Sequence, residues 1–279
     1  MLWRALLMSG HSGVVESQAR SSPSAEAVWD RVWRYRPSDE RDDALLEREE
    51  ASPRWQLVVD RLERTFGHID GLQTIELGSG RGDLSVLLAR RGACVTLLDR
   101  SERALEEATK RFDRLGLPAQ FEQGDLLTGS ESRAGRFDVS LSIGVIEHFA
   151  GAQRSSVLEA HYDVLKSSGM TIVSVPHAWC PPYRLWKSYL ELRRWWPYGT
   201  EIPYARHELS QRARKAGFQG VETHGLGFWQ SVGNLWCKPL VGRWPDWSGA
   251  RSRLDNVMGL MLVMFGQRDE HARDGIEVR

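Results

Sequence analysis

The sequence predicts an α/β fold, a doubly wound, seven-stranded and mostly parallel sheet with an antiparallel last strand, a helical N-terminal extension and Trp-rich cover inserts. Three observations carry this. The stretch Thr74-Ile75-Glu76-Leu77-Gly78-Ser79-Gly80-Arg81-Gly82-Asp83 runs from an apolar strand through glycines into Leu84, Leu87 and Leu88 at helical spacing. Short apolar runs then alternate with helical patterns as far as Val175. Asp99 and Asp125 close the second and third runs, and such sheets bind ligands at the carboxyl ends of their strands.

The 279 residues hold 37 Lys plus Arg and 37 Asp plus Glu, so no net field draws the chain to nucleic acid or to an anionic membrane. Cys94, Cys180 and Cys237 share no close spacing, which argues against a zinc knuckle or a disulfide framework and suits a reducing cytoplasm. No apolar stretch approaches the roughly 18 residues of a membrane span, and the apolar run at residues 1–8 is too short for a secretion signal. These features predict a disordered tail over 1–24, one domain over 25–266 with a core at about 55–175 and inserts at about 177–206 and 228–256, and a charged tail over 267–279.

In chain order, Val28, Trp29, Val32 and Trp33 form a helical stripe, either packed on its own domain or serving as a lid over a substrate. Residues 39–50 read as a charge-dense, solvated stretch, and Pro53 opens a helix through Trp55, Val58 and Leu62. At the glycine turn, positive φ and the missing Cβ atoms let a ligand lie against the N–H groups that open the next helix. The dinucleotide fingerprint G-x-G-x-x-G requires glycine where Asp83 stands, so NAD fits poorly. Residues 93–98 read as a buried strand ending in Asp99, about twenty residues beyond the glycines, where a carboxylate meets two ribose hydroxyls. A helix from Ser101 to Gly116 precedes a third strand at 119–123 and the turn Gly124-Asp125-Leu126. The fourth strand, 136–142, leads into Ile143-Gly144-Val145-Ile146-Glu147-His148-Phe149. His161, on the following helix, reads as a packing histidine. The fifth strand is expected at 170–175, the sixth at about 218–224 and the last at 260–265.

Glu76-Leu77-Gly78-Ser79-Gly80-Arg81-Gly82 resembles motif I of the class I S-adenosylmethionine-dependent methyltransferases, and Gly124-Asp125-Leu126 resembles their next motif. The resemblance covers about residues 55–175. It implies a Rossmann-like fold and S-adenosyl-L-methionine as cofactor, held by Glu76, Gly78, Ser79, Gly80, Asp99, Arg100, Asp125, Leu126 and Ile143. Within it, Asp125 takes the adenine amino group and the backbone N–H of Leu126 meets the ring. The pair Glu147-His148 is similar to the small-molecule branch that includes ubiquinone- and menaquinone-biosynthesis enzymes. Some of those bind a divalent metal through Glu-x-x-Glu-His; Gly144 stands at the first glutamate here, so no metal is expected. Pro181-Pro182-Tyr183 resembles part of the Asn-Pro-Pro-Tyr signature of amino-group methyltransferases, but it follows the fifth strand instead of the fourth and Cys180 leads it.

Eight of the 12 tryptophans follow the fifth strand, which suggests an aromatic-walled pocket for a planar or lipophilic acceptor. Glu147, Tyr183, Trp186 and Trp229 are its expected lining. His148 and His177 follow strands four and five and are the candidates to take a proton from a hydroxyl acceptor. The expected function is methyl transfer to a small aromatic or apolar metabolite at O, N or C, with no nucleic-acid partner and an open oligomeric state, a homodimer being one candidate. The alternatives are a non-catalytic methyltransferase-like binding module and methylation of nucleic acid or protein. Only the cluster Arg193, Arg194, Arg206, Arg212, Arg214 and Lys215 hints at the last.

Overall fold

The computed structural model describes residues 25–34, 37–129, 131–233 and 249–269. The N-terminal tail, most of the charged C-terminal tail, Cys237, Trp236, Trp244 and Trp247 lie outside the described residues.

Among the described residues, three helices precede the sheet: α1 (Ala25–Trp33), α2 (Asp39–Glu50) and α3 (Pro53–Phe66). Ser38 and Ser52 cap α2 and α3 through their hydroxyls, Pro53 occupies the first turn of α3, and Gly67 ends that helix in a left-handed conformation. Charge density alone predicts a solvated stretch at 39–50. The structure instead buries Asp42 and Leu46, because Arg81 (2.7 Å), Arg111 (2.9 Å) and Arg114 (3.0 Å) surround the Asp42 carboxylate and neutralise it.

The chain then alternates: β1 (Gln73–Leu77), α4 (Asp83–Arg90), β2 (Cys94–Asp99), α5 (Glu102–Leu115), β3 (Gln120–Gln123), β4 (Phe137–Ile143), α6 (Gln153–Asp163) and β5 (Leu165–Pro176). After it come α7 (Pro181–Leu192), α8 (Arg206–Lys215), β6 (Gln219–Leu226), α9 (Phe228–Val232), α10 (Asp255–Met258) and β7 (Met261–Gln267). The seven strands lie in the order β3-β2-β1-β4-β5-β7-β6, and β7 runs antiparallel to both neighbours. β5 starts five residues earlier than periodicity suggests, since Leu165 already pairs with Phe137 across a register shift. β6 runs on to Leu226 because its ladder with β7 continues to Met261.

Two apolar layers cover the sheet. One face packs Trp55, Leu62, Leu84, Leu88 and Phe112 of the helices α3 to α5, and the other packs Val157, Leu158, Tyr162, Leu209 and Phe218. His161 is fully buried, with Ser140, Ser142 and Thr171 hydroxyls at its ring nitrogens, and burial pushes its pKa down to about 3. It is the packing histidine that the sequence suggests. The chain moves outward from β1 through β2 to β3 and then returns to place β4 beside β1. That reversal opens a crevice beyond the carboxyl ends of β1 and β4, where doubly wound sheets bind ligands.

Candidate active site

A concave cavity, open to solvent on one side, occupies this crevice. Its floor comes from consecutive strand ends: Gly78 after β1, Asp99 and Arg100 at β2, Gly124, Asp125 and Leu126 after β3, and Gly144 and Val145 after β4. Gly78 has φ 70°, and a Cβ there would lie 2.7 Å from the Val145 side chain, so the turn tolerates no larger residue. The Gly78 and Ser79 N–H groups both donate to the Leu98 carbonyl (2.8 and 2.9 Å), which ties the glycine turn to β2.

Asp99 is buried, and its carboxylate accepts from the Gly80 N–H (2.7 Å) and the Ser101 N–H (2.9 Å). Burial raises its pKa, while the backbone donors work in the opposite direction. Each oxygen retains a lone pair for a ligand hydroxyl. Asp125 is half-buried and spends one oxygen on the Leu127 N–H at 2.9 Å, with the Arg100 guanidinium 3.8 Å away.

A second, small cavity adjoins the glycine turn and is lined by Trp33, Arg54, Glu76, Ser79, Arg81, Gly82, Asp83, Leu84 and Ile143. Glu76 accepts from the Ser85 hydroxyl at 2.5 Å, and burial pushes its carboxyl up to about 8. Arg54 forms a two-point pair with Glu49 (2.8 and 2.6 Å). It is absent from the residues expected from sequence, although its place at the start of the helix before β1 is a signal that could have found it.

Trp29 and Trp33 of α1 line the main cavity. The helix also packs on its own domain, with Val28 and Trp33 buried. The Trp29 ring meets the His148 ring edge-on at 4.8 Å and lies 6.2 Å from Tyr198. His148 itself lines the cavity, and its Nδ1 is 2.7 Å from the Thr200 carbonyl oxygen. A carbonyl only accepts, so Nδ1 carries the proton and Nε2 keeps a lone pair. Burial pushes the His148 pKa down to about 4, so the ring is neutral at physiological pH.

His177, the other candidate base, does not line this cavity. It is buried where the chain leaves β5, its N–H bonded to Leu260 and its backbone bridged to Tyr204. Tyr183 and Trp186 lie on α7, Tyr183 packing against Cys180 and Leu260, and Trp229 is half-exposed beside Phe228. None of the three lines the cavity, because α7 and α9 pack beyond the β5 and β6 ends of the sheet.

Glu147 lies in the 3-10 turn Ile146–His148, buried, with neither carboxylate oxygen hydrogen-bonded. Glu201, also buried, accepts from the Tyr183 hydroxyl. One ligand atom each of Glu147, His148 and Glu201 falls within 4.8 Å of the others. Gly144 leaves the sequence motif incomplete, but Glu201 supplies the missing carboxyl in space. The segment carrying it is held down by the Ile202 N–H on the Glu147 carbonyl (2.8 Å) and by Arg154, which donates to the Ile202 carbonyl (2.9 Å). Burial raises the pKa of both carboxyls, and Glu147 further opposes ionisation of Glu201.

A family model described as a methyltransferase domain matches residues 75–169. The chain is 31% identical over 201 residues to a ubiquinone biosynthesis O-methyltransferase of Azorhizobium caulinodans, covering 67% of this chain and 74% of that one. It is 30% identical over 236 residues to the enzyme of the same name from Caulobacter sp. strain K31, covering 81% and 86%. Among solved structures, the magnesium protoporphyrin IX methyltransferase of Synechocystis PCC 6803 with bound SAH aligns at TM-score 0.57 and 17% identity, over 89% of this chain and 96% of that one. The 1,6-didemethyltoxoflavin-N1-methyltransferase of Burkholderia thailandensis aligns at TM-score 0.54 and 19% identity, over 92% and 94%. The switch-point cavity, the glycine turn and the two strand-end carboxylates thus accompany the relatives' shared chemistry, and the chain belongs to the class I S-adenosylmethionine-dependent methyltransferases, on their small-molecule branch.

Proposed function

We propose that the enzyme methylates a hydroxyl group of a small aromatic acceptor, with His148 as general base. The observation that carries this reading is the His148 tautomer: the Thr200 carbonyl holds the proton on Nδ1 and leaves the Nε2 lone pair on a ring that lines an aromatic-walled cavity. The curated relatives named as O-methyltransferases support an oxygen acceptor.

The chain's own residues fit an adenosyl group. Asp99 accepts from the ribose hydroxyls, Asp125 and the Leu126 N–H meet adenine, and the turn at Gly78, Ser79 and Gly80 leaves backbone room beside them. Arg100 borders the same side. Glu76, Arg54 and Ile143 line the adjoining space, where a carboxyl and a guanidinium face the place of the ammonium and carboxylate of a methionine tail. When bound, the cofactor supplies an electrophilic sulfonium methyl. Trp29 and Phe149 wall off water and present ring faces to the acceptor, and His148 Nε2 takes the hydroxyl proton as the oxygen gains its methyl. Glu147 acts beneath this layer, beside His148.

A second reading is favoured by the meeting of Glu147, His148 and Glu201. The orphaned Glu147 oxygens, the nearby Glu201 carboxyl and the His148 ring form a donor set suited to a divalent cation. Such an ion would lower the pKa of an acceptor hydroxyl next to it. Turnover of a panel of phenols, catechols, amines and thiols tests the first reading: methylation confined to hydroxyl acceptors supports it, and methylation of amines alone overturns it. Chelation separates the two, since only the second requires activity to fall with EDTA and return with manganese or magnesium.

A further inference from the structure

We infer that Arg154 is a positioning residue for His148, acting through the strap formed by residues 200–204. Three residues of that strap meet the turn after β4 in reverse order. The Thr200 carbonyl faces His148 Nδ1 (2.7 Å), the Ile202 N–H donates to the Glu147 carbonyl (2.8 Å), and the Tyr204 hydroxyl reaches the Ile146 carbonyl (3.4 Å). Thr200 itself lies between α7 and α8, outside both helices. A carbonyl in such a stretch selects a tautomer only while something holds its segment in register.

Arg154 supplies that hold. It is the second residue of α6, where the amino end of a helix disfavours a cation, and it is only 5% exposed. Its donors are spent away from its own helix. Nη1 donates to the Ile202 carbonyl (2.9 Å), while Nε (3.2 Å) and Nη2 (3.0 Å) donate to one oxygen of Glu208 in the first turn of α8. The guanidinium also lies over the Tyr204 ring at 3.6 Å. The strap is thus gripped at two alternate residues, and Ile202 is bonded on both sides, its N–H to Glu147 and its carbonyl to Arg154. Lysine is no equivalent here, because an ammonium has no planar fork to stack on Tyr204 while reaching both acceptors.

Arg154 does not line the cavity, so its influence on the reaction passes through His148. Without the clamp the Thr200 carbonyl no longer pins the proton, and a neutral imidazole in water favours the proton on Nε2. That nitrogen then donates instead of accepting, and the ring cannot take a proton from the acceptor. This consequence for turnover rests on the general-base reading of His148; the tautomer itself does not.

Long-range proton–nitrogen NMR spectra of the full-length protein read the tautomer directly, with the His148 signals assigned by their loss in His148→Ala. Arg154→Leu removes the clamp, and Arg154→Lys keeps the buried charge should the first variant fail to fold. Ser155→Ala is the control, since it cuts a different contact between α6 and α8, the one to Arg212 (2.9 Å), and leaves the strap alone. The wild type and Ser155→Ala should show the proton on Nδ1, and both Arg154 variants should shift it toward Nε2. Turnover of phenol and catechol acceptors should fall roughly 10- to 100-fold in the Arg154 variants, with S-adenosylhomocysteine affinity as in the wild type. An Arg154→Lys protein that keeps the wild-type tautomer overturns the proposal, and so does an equal shift in Ser155→Ala, which would mark general loosening. A shifted tautomer with undiminished turnover retains the clamp and overturns His148 as the base instead.

Discussion

The Nδ1 of His148 lies 2.7 Å from the carbonyl oxygen of Thr200, a contact between the turn after β4 and an insert that follows β5. One hydrogen bond thus fixes which ring nitrogen is basic, much as second-layer partners orient catalytic imidazoles elsewhere.

The first prediction concerns this ring. His148→Ala should reduce kcat by roughly 10²- to 10⁴-fold, the usual contribution of a positioned base, with S-adenosylhomocysteine affinity little changed. Since burial pushes the His148 pKa down to about 4, the ring stays neutral across the physiological range. A rate profile should therefore lose activity near pH 4 instead of near the 6.5 of an exposed histidine. An acid limb at 6.5 would contradict that environment.

Asp42 carries the second. Its carboxylate is 1% exposed and meets Arg81 of the glycine turn, Arg111 and Arg114, so one side chain joins α2, the cofactor turn and α5. Asp42→Ala removes the carboxylate that two buried guanidinium groups share and should destabilise the fold by about 3–5 kcal/mol. Urea unfolding measures this, and a midpoint equal to the wild type would refute it.

Glu147 carries the third. Burial pushes its pKa from an ordinary 4.5 up to about 8. Between those values the unfolded chain ionises this carboxyl while the folded chain keeps it protonated. The unfolded state therefore binds fewer protons, and stability falls as pH rises through the window. Glu147→Gln should remove that slope, gaining on the wild type by at most about 1.4 kcal/mol per pH unit. Urea unfolding at pH 5 and pH 8 decides it; equal differences at both would contradict the burial of an unpaired carboxyl.

Some of this was legible in the sequence and some was not, for physical reasons. Gly78, Asp99 and Asp125 could be read because each occupies a strand end, and a parallel sheet brings consecutive strand ends to one edge. Short apolar runs and helical spacing likewise located the strands and most helices. Glu201 could not be read, since only the folded insert carries it to Glu147. The burial of Asp42 depends on arginines from two other segments, so its own neighbourhood looks solvated. Trp29 and Trp33 showed a stripe, but periodicity does not say what a stripe faces. Aromatic content suggested a pocket for Tyr183, Trp186 and Trp229, yet the rings that line the cavity belong to α1 and to Phe149.

Calorimetry with S-adenosylhomocysteine tests the central claim, that the turn at Gly78 and the carboxylates of Asp99 and Asp125 grip one adenosyl group. The wild type should bind one equivalent, and Asp99→Ala and Asp125→Ala should each weaken binding by roughly 1–3 kcal/mol, about 5- to 150-fold. A wild-type protein that takes up no S-adenosylhomocysteine, or one whose affinity neither substitution alters, would contradict it.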